Sequence, residues 1–200
     1  MAKSSKAWLR RHVTDAYVRQ AKAAGYRSRA AYKLLEIDRR DRIFRPGMRV
    51  LDLGAAPGGW SQVAAERVKP GGRVVAADLL AMSPLPGVHT LHGDFRSLDL
   101  EAALGGKADV VLSDMMPNVT GVALVDQARA AELLQEAVAL CRKVLRSEGV
   151  LLAKMFQGEA FDEVMRALKA SFQTVAVRKP AASRGESRET YLLARGLKRG

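Results

Sequence analysis

Met48-Arg-Val-Leu-Asp-Leu-Gly-Ala-Ala-Pro-Gly-Gly-Trp60 decides how the rest of the chain is read. Met48 to Leu53 is a short, mostly apolar run, the pattern of a strand buried on both faces. Gly54 to Gly59 is a loop. Its glycines let the backbone approach a ligand closely, and Pro57 stiffens it. Trp60 to Val68 resumes as a helix, and Lys69-Pro-Gly-Gly72 turns the chain into a second strand, Arg73 to Asp78. Strand, loop, helix and strand in that order make the repeating unit of a parallel sheet.

The pattern continues downstream. Val88 to His92 reads as a strand, about Ser97 to Leu104 as a short helix, and Ala108 to Asp114 as a strand. A long amphipathic helix spans about Val122 to Arg146, with Gly149 ending it. Val150 to Phe156 is the next strand, followed by a helix over about Phe161 to Ala170 and a strand from Phe172 to Arg178. A Ser/Gly/Arg loop leads into the last strand, from Glu189 to Ala194. The last two strands have no helix between them, which predicts an antiparallel pair. Upstream lie two helices. One runs from Trp8 through Ala21 and is stopped by Gly25. The other runs from Arg29 to about Arg40, with Ser28 as its cap. The expected architecture is a Rossmann-like α/β fold, a mostly parallel seven-stranded sheet with an antiparallel last pair and an N-terminal helical extension. Residues 1–45 are the basic extension and 46–200 the main domain, together one structural unit.

Composition narrows the class. At 200 residues, 48% of them hydrophobic, the chain makes one domain with a core. Cys141 is its one cysteine, so neither an internal disulfide nor a cysteine-only metal site is available. His12, His89 and His92 have no cysteine partners at zinc spacing, and no metal is expected. No apolar run reaches the ~18 residues of a membrane span. The start lacks the apolar stretch of a signal peptide. It is Arg-rich and acid-poor like a transit peptide, but candidate site residues follow it closely, and a cytoplasmic protein is expected. There are 33 Lys+Arg against 21 Asp+Glu, a formal net charge of +12. That charge is uneven: +10 over residues 1–49, −3 over 50–150 and +5 over 151–200. An acidic centre between basic ends is the footprint of a polyanion-binding surface built from the two ends.

Ligands of such sheets bind at the carboxyl ends of the strands. The loop here is neither the G-x-G-x-x-G dinucleotide fingerprint nor a Walker loop. Asp52, just before the glycines, disfavours a pyrophosphate and suits a cation. S-adenosylmethionine (SAM) carries a sulfonium, an ammonium and no phosphate. Asp78 ends the second strand, where a carboxylate can accept both ribose hydroxyls of an adenosine. Asp94, beside Phe95, can accept from an adenine amino group. Asp114 ends the fourth strand. A helix cap accounts for any one of these carboxylates, but together with the glycine loop they outline SAM. Lys154 is unusual because it sits in an apolar strand, where lysine needs a partner. Lys33 on the second helix and Glu189 at the start of the last strand can meet it at the same sheet edge.

Six stretches resemble the FtsJ/RlmE-type ribosomal RNA ribose 2′-O-methyltransferases. They are Tyr26-Arg-Ser-Arg-Ala-Ala-Tyr-Lys-Leu-Leu-Glu-Ile37, Leu51-Asp-Leu-Gly-Ala-Ala-Pro-Gly-Gly-Trp-Ser-Gln62, Leu112-Ser-Asp-Met-Met-Pro-Asn118, Ala153-Lys-Met-Phe-Gln-Gly158, and Arg178-Lys-Pro-Ala-Ala-Ser-Arg184 with Ser187-Arg-Glu-Thr-Tyr191. The resemblance covers nearly the whole chain, from Trp8 to about Gly196. It implies a catalytic Lys-Asp-Lys-Glu tetrad at Lys33, Asp114, Lys154 and Glu189. It implies SAM-binding positions at Gly58, Trp60, Asp78, Asp94 and Asp114, within a loop whose glycines are Gly54, Gly58 and Gly59. It also implies methylation of a uridine in the A loop of large-subunit rRNA, on assembled or nearly assembled large ribosomal subunits. The protein is expected to act as a monomer. Val119-Thr120 and Leu192-Leu193 depart from the family pattern without touching the tetrad.

In this reading Lys154 acts on the ribose hydroxyl in one of two ways. It is neutral and takes the proton, or it is charged, orients the oxygen and stabilises developing negative charge. Arg10, Arg11, Arg19, Lys22, Arg27 and Arg29 are expected to face rRNA phosphates, with Arg178, Lys179, Arg184 and Arg188 opposite. Two competing readings are a SAM enzyme acting on another substrate and a non-catalytic rRNA assembly factor. Asp114-Met-Met-Pro117 lacks the aromatic of amino-group methyltransferases, and an intact tetrad weighs against the assembly factor.

Overall fold

The structure is a computed structural model and describes residues 15–117, 120–183 and 187–198. In chain order its elements are α1 (Ala16–Ala23), α2 (Ala30–Asp41), β1 (Arg49–Leu53), α3 (Gly59–Arg67), β2 (Arg73–Asp78), β3 (Val88–His92), α4 (Leu100–Leu104), β4 (Ala108–Ser113), α5 (Ala123–Val144), β5 (Leu145–Phe156), α6 (Phe161–Ser171), β6 (Phe172–Arg178) and β7 (Glu189–Leu197). The described residues form a seven-stranded sheet of order β3-β2-β1-β4-β5-β7-β6. β1, β2, β3, β4 and β5 pair in parallel, and β7 runs antiparallel between β5 and β6. The expected architecture is the observed one.

The apolar strand runs follow from burial on both faces. Leu51, Leu53, Val75, Ala77 and Val111 face α4, α5 and α6. Their alternate neighbours Val50, Val74, Val110 and Leu112 face α2 and α3. Ala31, Leu34 and Ile37 of α2, each no more than 2% exposed, complete this second layer. The basic extension therefore covers the sheet with one side of α2. The sheet changes direction of winding between β1 and β4, and a cleft opens there at the carboxyl ends of the strands.

Several boundaries differ from expectation. Trp8 to Thr14, including Arg10, Arg11 and His12, lie outside the described residues, as do Asn118, Val119 and Arg184 to Glu186. Asp15 is extended and accepts the Tyr17 amide, so α1 starts at Ala16. Arg29, not Ser28, holds the cap position of α2, without a side-chain cap bond. Ser28 instead packs against Gly59, where a Cβ would stand 2.3 Å from its Oγ. Gly149 does not end the long helix. α5 stops at Val144, and β5 starts at Leu145 with an irregularity against β4. Gly149 lies in that irregular stretch, where an added Cβ would meet the Leu145 side chain at 2.5 Å.

Candidate functional site

The cleft is a cavity of ≈ 760 Å³ at the carboxyl ends of β1, β2, β3 and β4. That volume lies within the ordinary range for small-molecule sites. Gly54, Asp78, Asp94 and Asp114 line it, with Phe95 and Met115 as apolar wall. Gly54 has φ +67, and a Cβ there would stand 2.5 Å from Met115 Cγ. Only glycine gives both that backbone and that clearance. Gly58, Gly59 and Trp60 are not in the cavity wall. Gly58 backs onto Leu85 and Gly59 onto Ser28. Trp60 is buried, donates from Nε1 to Ala30 O at 2.8 Å and packs on Tyr191. These three residues support the loop from behind.

The aspartates of the cleft have different neighbours. Asp78 accepts the Ala56 amide at 2.8 Å and the Leu80 amide at 2.7 Å, one on each oxygen. Each oxygen keeps a lone pair for a further donor. Asp94 accepts from Arg96 Nε and from the Arg96 amide, and the guanidinium holds its carboxyl below the ordinary range. Arg96 also reaches Glu136 at 3.1 Å, on the far wall of the cavity. Asp52 does not face the cavity. It is fully buried, takes a 2.6 Å bond from Ser61 and leaves Oδ1 without a partner. Burial, with Asp114 and Asp78 nearby, pushes its carboxyl up to about 7.

Asp114 joins this cleft to a second constellation. Lys154 lies two residues beyond Leu152 on β5, so it points to the α2 side of the sheet. Its Nζ donates to Asp114 O at 2.6 Å and lies 3.1 Å from Asp114 Oδ1. Lys33 on α2 pairs with Glu189 at 2.6 Å. The side chains of Lys33, Glu189 and Lys154 are only 12%, 13% and 8% exposed. The structure thus brings together all four expected tetrad residues as two close ion pairs.

Tyr191 connects the pairs, and the sequence reading missed it. It stands directly opposite Lys154 in the β5–β7 register and is fully buried. Its hydroxyl lies 2.9 Å from Glu189 Oε1 and 3.3 Å from Asp114 Oδ1. A phenol has one proton, so it serves one carboxylate at a time. Burial, with both carboxylates adding to it, raises the Tyr191 hydroxyl well above its ordinary value. Burial pushes Glu189 up as well, but the charge and bond of Lys33 outweigh it and hold the carboxyl low. The available signal was spacing: Tyr191 follows Glu189 by two, which puts both on one strand face.

Three arginines expected to face phosphates are bound to the protein instead. Arg27 donates to the carbonyls of Pro57, Ser83 and Pro84. Arg29 donates to Ala182 O and pairs with Asp15. Arg178 forms a two-pronged pair with Asp41, both contacts at 2.7 Å. A guanidinium's fan of donors suits it to stitching loop carbonyls and carboxylates together. Lys179 is likewise tied to Ser187 O at 2.8 Å. Arg19, Lys22 and Arg188 are exposed. Among the described residues, no group of three or more His, Cys, Asp or Glu is placed to hold a metal ion, and no helix is long and apolar enough to cross a membrane.

Residues 26–197 match the FtsJ-like methyltransferase family model. A protein of Nitrosospira multiformis named ribosomal RNA large subunit methyltransferase E is 54% identical, over 97% of each chain. One of the same name from Alcanivorax borkumensis is 52% identical, over 98% of this chain and 97% of its own. A crystal structure from Plasmodium falciparum, named as a ribosomal RNA methyltransferase, superposes with a TM-score of 0.77 at 30% identity, covering 86% of this chain and 98% of that one. Aeropyrum pernix fibrillarin, solved with SAM bound, shares the fold at a TM-score of 0.56 and 18% identity, over 84% of this chain and 75% of its own.

Proposed function

This chain belongs to the FtsJ-like methyltransferase family, and from that premise we propose that it methylates the ribose 2′-hydroxyl of a uridine in large-subunit rRNA, with SAM as methyl donor. The substrate is the A loop, in the assembled or late-assembling large ribosomal subunit. One observation carries the reading. Asp114 is both a wall of the cavity and the partner of Lys154, so a donor site and a polar, buried reaction site share one residue.

The donor set fits SAM. Asp78 has free lone pairs for ribose hydroxyls, Asp94 is held ionised to accept from an adenine amine, and Asp114 presents a carboxylate near a cation. The Gly54 backbone, without a Cβ, leaves room along the loop. When bound, SAM supplies a methyl group already activated by its sulfonium, so the protein's task is mainly alignment. Lys154 donates to Asp114 O and pairs with Asp114 Oδ1. A remaining position is open to the ribose 2′-oxygen, either as an N–H that orients it or as a lone pair that takes its proton. Asp114 and Tyr191 fix the direction of that position. Lys33 neutralises Glu189, so the second carboxylate anchors Tyr191 without competing for Lys154.

The test is incubation with labelled SAM and undermethylated large subunits, followed by mapping of ribose methylation. Label on one uridine ribose is the expected result. Label on a base or protein would move the enzyme to another substrate class. Tight RNA binding without label would identify a non-catalytic assembly factor.

A further inference from the structure

Arg39, Arg42 and Arg45 differ from the arginines tied into the fold. They sit at the C-terminal end of α2 and in the loop after it, they are exposed, and their side chains make no hydrogen bond or ion pair among the described residues. They line a groove of ≈ 790 Å³ together with Tyr17 and Tyr32, whose ring centroids are 5.7 Å apart. Both tyrosines are half-buried, so each keeps part of its ring open. The acidic residues of the groove are already engaged. Glu36 accepts the amides of Ala181 and Ala182. Asp38 accepts those of Ile43 and Phe44 and pairs with Arg67. What the groove offers a partner is therefore positive charge beside aromatic rings.

Arg42 adds an independent sign. It ends α2 in the left-handed conformation, φ 49 and ψ 58. Glycine or asparagine holds that position without strain, and an arginine does not. A strained backbone kept at a charged, exposed residue whose side chain is unpaired points to use of that side chain.

We infer that this groove along α2 holds the RNA strand flanking the target ribose. Arg39, Arg42 and Arg45 contact its phosphates, and Tyr17 and Tyr32 pack on its bases. The inference rests on the RNA-methyltransferase reading above and extends it to a surface outside the tetrad. Glu36, which lines the groove, lies one turn beyond Lys33 on α2, so the groove begins near the reaction site. From Lys33 to Arg42 the helix runs about 13 Å, the axial span of about four phosphates of a helical strand. Cations beside aromatic faces are what a nucleic-acid strand needs, since every base has a face to stack. An acidic peptide would use the arginines but offers no bases to the tyrosines.

The experiment measures affinity for a large-subunit rRNA fragment as salt is raised from about 50 to 200 mM. Removing one phosphate contact reduces the log–log salt slope by about 0.7 to 0.9. The variant Arg39→Ala/Arg42→Ala/Arg45→Ala is expected to flatten the slope by about two and to weaken binding at least about tenfold at the low-salt end. The Arg→Lys counterpart at the same three positions keeps the slope. Tyr17→Leu weakens binding but leaves the slope unchanged, because stacking releases no counterions. Arg42→Gly relieves the backbone strain, so it keeps or raises the melting temperature while losing RNA affinity. SAM affinity by calorimetry is unchanged throughout. A wild-type slope in the triple alanine variant would overturn the inference while leaving the methyltransferase reading intact. So would displacement of an acidic peptide from the groove with RNA affinity unaltered. A wild-type protein that neither binds nor methylates the rRNA would overturn both.

Discussion

The cleft carboxylates and the tetrad carboxylates belong to one sheet edge, yet they are held in opposite ways. Asp94 is half-buried and its partner Arg96 is exposed, with side chains 32% and 59% accessible. Asp78 rests on two backbone amides at the cavity wall. Such groups exchange partners readily, which suits a donor molecule that must enter and leave. Glu189, Lys33 and Lys154 are closed off and linked through Tyr191, and that suits a reaction site whose geometry must not change. Exposed ion pairs contribute little to stability, because water and salt screen them. Breaking a buried pair costs about 3–5 kcal/mol. Substitutions in the two regions should therefore separate along binding and stability.

The largest effect is expected at Lys154. Lys154→Ala should lower the single-turnover methylation rate by about 10²–10⁴-fold, the range for loss of a positioned acid–base group, while calorimetry shows SAM affinity retained. A parallel loss of SAM affinity would merge the two regions into one. In the wild type, a rate that climbs with pH to a plateau assigns the lone-pair role to Lys154, and a flat profile assigns the N–H role.

Asp52 lies behind both regions and couples to Asp78 and Asp114. Its folded-state value of about 7 lies above the ordinary value near 3.9, so the folded chain holds this proton more tightly than the unfolded chain. The stabilisation is fully present below about pH 4 and is lost as pH rises through about 7, on the order of 4 kcal/mol in all. Urea unfolding of wild type and Asp52→Asn between pH 4 and 8 isolates this contribution. The difference between them should change with pH in that window. A constant difference would show that Asp52 is ionised throughout.

Lys33→Met tests the buried side of the contrast directly. It leaves Glu189 buried without its counter-charge and should destabilise by about 3 kcal/mol. Lys33→Met/Glu189→Gln removes both charges and should recover most of that loss. The wild-type pair also has a pH signature. Glu189 is held low when folded, so its contribution is present above the ordinary glutamate range and disappears as pH falls through the folded value. In Lys33→Met that acid-side loss should vanish.

Much of this arrangement was legible in the sequence because strand runs and glycine loops are local signals. A lysine inside Leu151-Leu-Ala-Lys-Met-Phe156 breaks an apolar pattern and draws attention to itself. Tyr191 breaks none, since tyrosine is an ordinary strand residue, and its role comes from the register that sets it against Lys154. Asp52 read as a residue near a ligand cation, and only the packing of α3 over β1 shows that it is sealed off. Arginines were the least legible. Arg27 and Arg178 look like Arg39 and Arg42 in composition, and their difference lies in carbonyls and carboxylates supplied from 30 to 137 residues away. The expected end of α5 at Gly149 failed for a similar reason, because pairing with β4 takes over at Leu145.

Arg96→Ala should give the smallest effect and mark the other end of the contrast. Its pair with Asp94 is exposed, so urea unfolding should scarcely change. The change should appear in the pH dependence of donor binding. Arg96 holds Asp94 below the ordinary carboxylate range. Without it, protonation of Asp94 sets in at higher pH, and the acid-side weakening of SAM binding shifts upward by calorimetry between about pH 4 and 7. An Arg96→Ala protein destabilised as much as Lys33→Met would mean that the cleft, too, is built on a fixed ion pair, and the division of the sheet edge into an exchangeable half and a fixed half would fall.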